Sequence, residues 1–83
     1  MAVPTVLRVG PFRFFFYANE GGEPAHVHVE NGDGECKFWL DDVRLAEASG
    51  VRAFDLRQIE RLVREHREHL MRSWDDFEQL RRR

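Results

Sequence analysis

Eighty-three residues, 42% hydrophobic and 34% charged, make one small domain and are too apolar for a disordered chain. No uncharged run approaches the roughly twenty residues that a membrane-spanning helix needs. The single cysteine, Cys36, excludes an internal disulfide. With no basic-then-apolar leader at the start, it points to a reducing cytoplasm. The net charge of −2 hides an asymmetry: residues 1–42 carry 3 basic and 7 acidic side chains, while residues 43–83 carry 10 arginines and 8 acids. The first half would repel a phosphate backbone unless its few basic groups cluster, so nucleic-acid affinity would be weak or would come from the second half.

In chain order, the first half reads as strands. Thr5–Val9 and Phe12–Tyr17 flank Gly10-Pro11, a pair suited to a tight hairpin because glycine takes positive φ at its first turn position. Seven residues, "ANEGGEP", then form a flexible loop. His26–Glu30 and Glu35–Leu40 flank "NGDG" and form a second hairpin. Residues 43–52 read as a connection in which "VRLAEAS" is ambiguous between a strand and a helical turn. From 53 to 80, Leu56, Ile59, Val63, His66, Leu70, Trp74 and Phe77 recur every three or four residues, the stripe of one amphipathic helix. Residues 81–83 form a basic tail. The expected fold is one α+β domain, with a four-stranded antiparallel sheet of two hairpins packed on one face by a long C-terminal helix.

Strand alternation sorts the side chains into two faces. Leu7, Val9, Phe12, Phe14, Phe16, Val27, Val29, Cys36, Phe38 and Leu40 share one face and form the expected core. The opposite face holds three cross-strand rows: Arg8–Arg13–Glu30–Glu35, Val6–Phe15–His28–Lys37 and Tyr17–His26–Trp39. One helix cannot cover both sides of such a sheet, so this second face is expected to be exposed and to be the working surface.

The stretch from "PTVLRVGPFRFFFYANEGGEPAHVHVENGDGECKFWLDDVRLA" through "LRQIERLVREHREHLMRSWDDF" resembles the small bacterial proteins grouped as domain of unknown function 4160. The resemblance rests on Pro4-Thr5-Val6, Phe14-Phe15 with its short acidic loop, Pro24 with "HVHV", Lys37-Trp39-Leu40 and the helix bearing Trp74. It implies no settled activity, but it does imply a toxin–antitoxin-like gene pair with a second small protein beside it. One departure from the expected pattern is Arg52, standing where a helix N-cap such as serine would be expected.

Three kinds of chemistry fit the second face. As an interaction surface, Phe15, Tyr17, Trp39 and Arg8 would meet a small protein partner or a second copy, with the histidines half-buried at the interface. Free outer edges, at Thr5–Val9 and at Glu35–Leu40, could also accept a partner's strand. As a metal-independent ribonuclease, His26 and His28 would act as base and acid while Arg13 or Lys37 steadied the phosphate, with the aromatics stacking RNA bases. As a metal site, His26 and His28 would be joined by Glu30 or a loop carboxylate as third ligand. Neither a metal nor another cofactor is expected, and no membrane is. His66 and His69 read as core or boundary residues. Cys36 is expected to be buried and is not proposed as a nucleophile. The preferred reading is the interaction protein of a toxin–antitoxin-like pair, with the ribonuclease-type toxin second and the metal-binding module third.

Overall fold

The computed structural model describes residues 5–81. It is α+β, with five strands in meander order followed by two helices. The strands are β1 (Thr5–Val9), β2 (Phe12–Phe15), β3 (His26–Asn31), β4 (Gly34–Trp39) and β5 (Arg44–Ser49), each antiparallel to the next. The helices are α1 (Ala53–Glu65) and α2 (Arg67–Arg81). Of the expected basic tail, Arg81 ends α2; residues 82 and 83 lie outside the described residues, as does Pro4.

Both hairpins close as the turn residues dictate. Val9 pairs with Phe12 around Gly10 at φ 56°, and Asn31 pairs with Gly34 around Gly32 at φ 61°. Two-residue turns match the right-handed twist of the flanking strands when glycine takes this left-handed conformation. The expected rows appear in the register: Arg8–Arg13–Glu30–Glu35, Phe15–His28–Lys37 and His26–Trp39. Val6 and Tyr17 are the exceptions: β2 ends at Phe15 rather than Tyr17, so Tyr17 lies beyond the register. The β1 register shifts between Thr5 and Leu7, and Val6 packs against the core instead.

Three expectations need correction. The sheet has five strands rather than four, because "RLAEAS" pairs along β4 as β5. Glu35–Leu40 is therefore not an outer edge; the edges are β1 and β5. The long helix is two helices, with His66 between them at φ −105°, ψ 18°. The His66 N–H still donates to the Leu62 carbonyl, and the Leu70 N–H donates to the His66 carbonyl, both at 2.9 Å. The hydrophobic stripe therefore carries across the kink, and Ile59, Val63, Leu70 and Trp74 are all buried with the sheet's core side chains.

The core contains Phe12, Phe14, Phe16, Val27, Val29, Cys36, Phe38 and Leu40, as alternation predicts. Polar contacts tie helices to sheet at its margins. Arg67 donates from Nε to the Leu40 carbonyl at 2.7 Å and from Nη2 to the Asp41 carbonyl at 3.2 Å. His69 Nε2 donates to the Val6 carbonyl at 2.9 Å. The helix layer does not extend over β5: Leu45 faces the same side as buried Phe38 yet is 41% exposed, and Ala48, opposite buried Cys36, is exposed too.

Candidate functional site beneath the loop after β2

The sheet face expected to be open is covered. Phe15, His26, His28 and Lys37 are 2%, 0%, 5% and 5% exposed. Tyr17 and Trp39 are half-buried, and Arg8 remains exposed. The cover is the segment between β2 and β3, expected to be a flexible loop, which folds back over the strands that flank it.

Each fastening is a carboxylate paired with a side chain opposite it. Glu20 Oε1 lies 2.8 Å from His26 Nε2 and 2.6 Å from His28 Nε2. Glu23 accepts from Lys37 Nζ in a short contact, and the same ammonium sits 4.6 Å above the Trp39 ring. The Tyr17 hydroxyl donates to both oxygens of Glu35, at 3.0 and 3.1 Å. Burial of uncompensated polar groups costs several kcal/mol, so an acidic loop matched to this row is the arrangement that allows the face to close. Among the described residues, no buried side-chain nitrogen or oxygen lacks a partner.

The histidines are held on their other sides as well. His26 Nδ1 donates to the Pro24 carbonyl at 2.8 Å, and His28 Nδ1 lies 3.2 Å from Glu35 Oε2. The His28 ring stacks on Phe15 and meets Tyr17 edge-on, with centroids 5.6 and 4.5 Å away. The His26 ring lies between Trp39 at 5.7 Å and Trp74 at 4.8 Å. Trp74 comes from α2, so the helix reaches around the end of the sheet to this cluster.

The environment also fixes protonation tendencies. Burial alone would raise the Glu20 carboxyl, but its hydrogen-bond and coulombic interactions with His26 and His28 outweigh it and hold the group below the usual glutamate range. The Tyr17 hydroxyl is raised by burial and then by its bond to Glu35. Burial, with the Glu35 charge secondary, pushes the Cys36 thiol up to about 12, so Cys36 stays a thiol.

The structure therefore brings His26 and His28 together but distributes the rest of the expected catalytic set. Lys37 is neutralised by Glu23, and Arg13 binds Glu30 through Nε at 2.7 Å and Thr5 Oγ1 at 2.9 Å. Glu30, one of the carboxylates expected as a third metal ligand, serves Arg13 instead; the carboxylate that meets both histidines comes from the loop and is Glu20. The sequence allows a loop carboxylate as third ligand but does not single out Glu20, nor Glu23 as the partner of Lys37, because both lie in the loop rather than on the strands. Their spacing opposite a His-x-His strand and a lysine strand was the available signal. His66, at the junction of the helices, is half-buried, and His69 on α2 is exposed with its ring on the Val6 carbonyl. A shallow cleft of about 370 Å³, lined among others by Glu35, Lys37, Glu47 and Ser49, opens beside His28.

A family profile described as "Domain of unknown function (DUF4160)" matches residues 12–75, which span β2 through most of α2. Neither the curated proteins nor the solved structures give a match. No helix among the described residues is long and apolar enough to cross a membrane.

Proposed function

We propose that this chain, which belongs to the domain of unknown function 4160 family, is the partner-binding member of a toxin–antitoxin-like pair and receives a strand of a second small cytoplasmic protein along β5. The observation that carries this reading is the state of β5. It is an outer strand, five of its six residues are exposed, and its core-side residues Leu45 and Ala48 lie beyond the helix layer. An edge strand presents unpaired backbone groups to any extended segment. The small side chains Ala46, Ala48 and Ser49 allow close approach. Leu45 offers the incoming strand an apolar contact that would complete the core side.

The proposed interface is therefore β5 rather than the His26/His28 face, whose groups are already paired and covered. The ribonuclease reading is less favoured for the same reason: His26, His28, Lys37 and Arg13 each already hold a carboxylate.

The test is co-expression with the protein encoded beside it, followed by size-exclusion chromatography with light scattering. A stable complex is expected, and it should be lost in the Leu45→Lys/Ala48→Lys variant while the circular dichroism of the isolated chain stays unchanged. These are exposed positions, so their cost to folding should stay within about 0.5 kcal/mol. A complex that survives the double substitution moves the interface elsewhere. Failure of the wild-type chains to associate overturns the reading.

A further inference from the structure

The polar cluster beneath the loop has an unusual balance of donors and acceptors. The Pro24 carbonyl can only accept, so His26 Nδ1 carries a proton. His28 Nδ1 stands 3.2 Å from Glu35 Oε2, a carboxylate oxygen that already receives the Tyr17 hydroxyl, and the tautomer that puts a proton there matches His26. In neutral rings both Nε2 atoms are then lone pairs, and both face Glu20 Oε1, itself an acceptor. Three acceptor atoms, all within 4.8 Å of one another, converge on one point. Something positive must lie among them. Protons alone would require at least one imidazolium, its ring centroid 5.3 Å from the other imidazole and both sharing one carboxylate oxygen inside a covered face. One divalent cation satisfies all three atoms at once.

We propose that Glu20 Oε1, His26 Nε2 and His28 Nε2 are the protein ligands of a single divalent transition-metal ion of zinc's class, and that this ion fastens the loop to the sheet. This inference is independent of the partner reading at β5.

The surroundings match what such a site requires. Metal-bound imidazoles almost always donate their other N–H to a carbonyl or carboxylate, which fixes tautomer and ring orientation; Pro24 accepts from His26 in this way, and a Glu35 oxygen stands 3.2 Å from His28 Nδ1. Both histidines stand on β3, the middle strand of the sheet, and their rings are packed by Phe15, Tyr17, Trp39 and Trp74. Two imidazoles and one carboxylate select zinc, cobalt or nickel over magnesium and calcium, which take oxygen ligands. With metal–ligand bonds of about 2.0–2.1 Å, tetrahedral ligand atoms stand roughly 3.3 Å apart. The two nitrogen–oxygen distances of 2.8 and 2.6 Å must therefore widen by about 0.5 and 0.7 Å, while the three atoms, which lie within 4.8 Å of one another, must draw together across the two imidazoles. Glu20, on the loop, makes the first adjustment, and small rotations of the His26 and His28 rings make the second. Three protein ligands leave a further position for water on the ion.

The proposal is tested on chelator-treated, metal-free protein titrated with cobalt(II) and then zinc(II). Cobalt should give the visible absorption of a four- or five-coordinate nitrogen–oxygen site at one equivalent. It should also quench tryptophan emission, because the His26 ring contacts both Trp39 and Trp74. Zinc should displace it and raise the melting temperature. Glu20→Ala should lower affinity at least tenfold, and Glu35→Gln about 10–100-fold, with the fold intact by circular dichroism. His66→Ala/His69→Ala removes the other histidine pair, on the helices, and should bind as wild type does. A folded wild-type chain that gives neither the cobalt spectrum nor a zinc-dependent melting shift overturns the proposal. So does binding that survives Glu20→Ala and is lost in His66→Ala/His69→Ala.

Discussion

At Cys36 the surroundings decide the chemistry. Burial beneath the sheet core holds its thiol near 12 against an ordinary value of 9.0, so it should resist alkylation in native protein at pH 8 and react only when urea unfolds the chain. The same shift has a pH sign. Above about pH 9 the unfolded chain releases this proton while the native chain keeps it, so stability should fall as pH rises. Tyr17, raised above 10.0, acts in the same direction. Urea midpoints measured from pH 8 to 11 should decline, and the Cys36→Ala variant should decline less steeply. Val43 is a second residue whose backbone decides the outcome. It is a buried β-branched residue at φ 50°, a conformation costing about 1–2 kcal/mol for any residue with a Cβ. Glycine normally costs more than alanine in ordered structure. Here Val43→Gly should be the more stable truncation, by about 1 kcal/mol over Val43→Ala in denaturant titrations. Residue identity alone does not reveal such positions. Glu20 makes the same point: nothing in its composition separates it from Glu30, and only the fold of the loop shows which carboxylate reaches the histidines.

Among the elements, the start of α1 is a place where the chain gives up stability. Arg52 has the extended backbone of an N-cap, φ −72° and ψ 156°, but its side chain caps nothing. Its contact with Asp55 is long, 3.7 Å, and Arg52 itself is 86% exposed. Arg52→Ser supplies an acceptor to the first turn and should stabilise by about 0.5–1 kcal/mol, which a thermal melt would read as a rise of a few degrees. Arg52 was visible as a departure in the sequence because capping is local chemistry. The same locality made β1 to β4, both hairpin turns and the two faces readable, since turn glycines and period-two alternation fix them. β5 was not readable for an equally physical reason. Its register against β4 shifts between Lys37 and Phe38, so Phe38 pairs with Leu45 while Cys36 pairs with Ala48, and Ala46 is left over. Two residues three apart therefore share a face, which imitates a helical turn. The His66 kink was equally silent, since no proline or glycine marks it and the hydrophobic stripe runs through.

For the whole molecule, the governing question is what keeps one side of the sheet closed, since the core side chains of the helices cluster with those of the other. The acidic excess of the first half, which the sequence offered only as a charge imbalance, is spent within it: Glu20, Glu23, Glu30 and Glu35 face His26, His28, Lys37 and Arg13. If those pairs hold the loop down, breaking one by halves should be worse than removing it whole. Glu23→Ala leaves the Lys37 ammonium, its side chain 6% exposed, without a carboxylate. A fully buried orphan charge costs about 3–5 kcal/mol, but Glu23 is itself 40% exposed and water can replace part of it. About 1–2 kcal/mol is expected, a drop of roughly 4–16 °C in melting temperature for a chain of this size. Lys37→Met/Glu23→Ala removes the ammonium as well and puts a flexible apolar side chain beside Trp39, so it should melt close to wild type. That ordering, single variant below double, is the signature of a closed face. If Glu23→Ala melts like wild type, Lys37 is well solvated there, the loop is a loose flap, and the His26/His28 face returns as a surface open to partners.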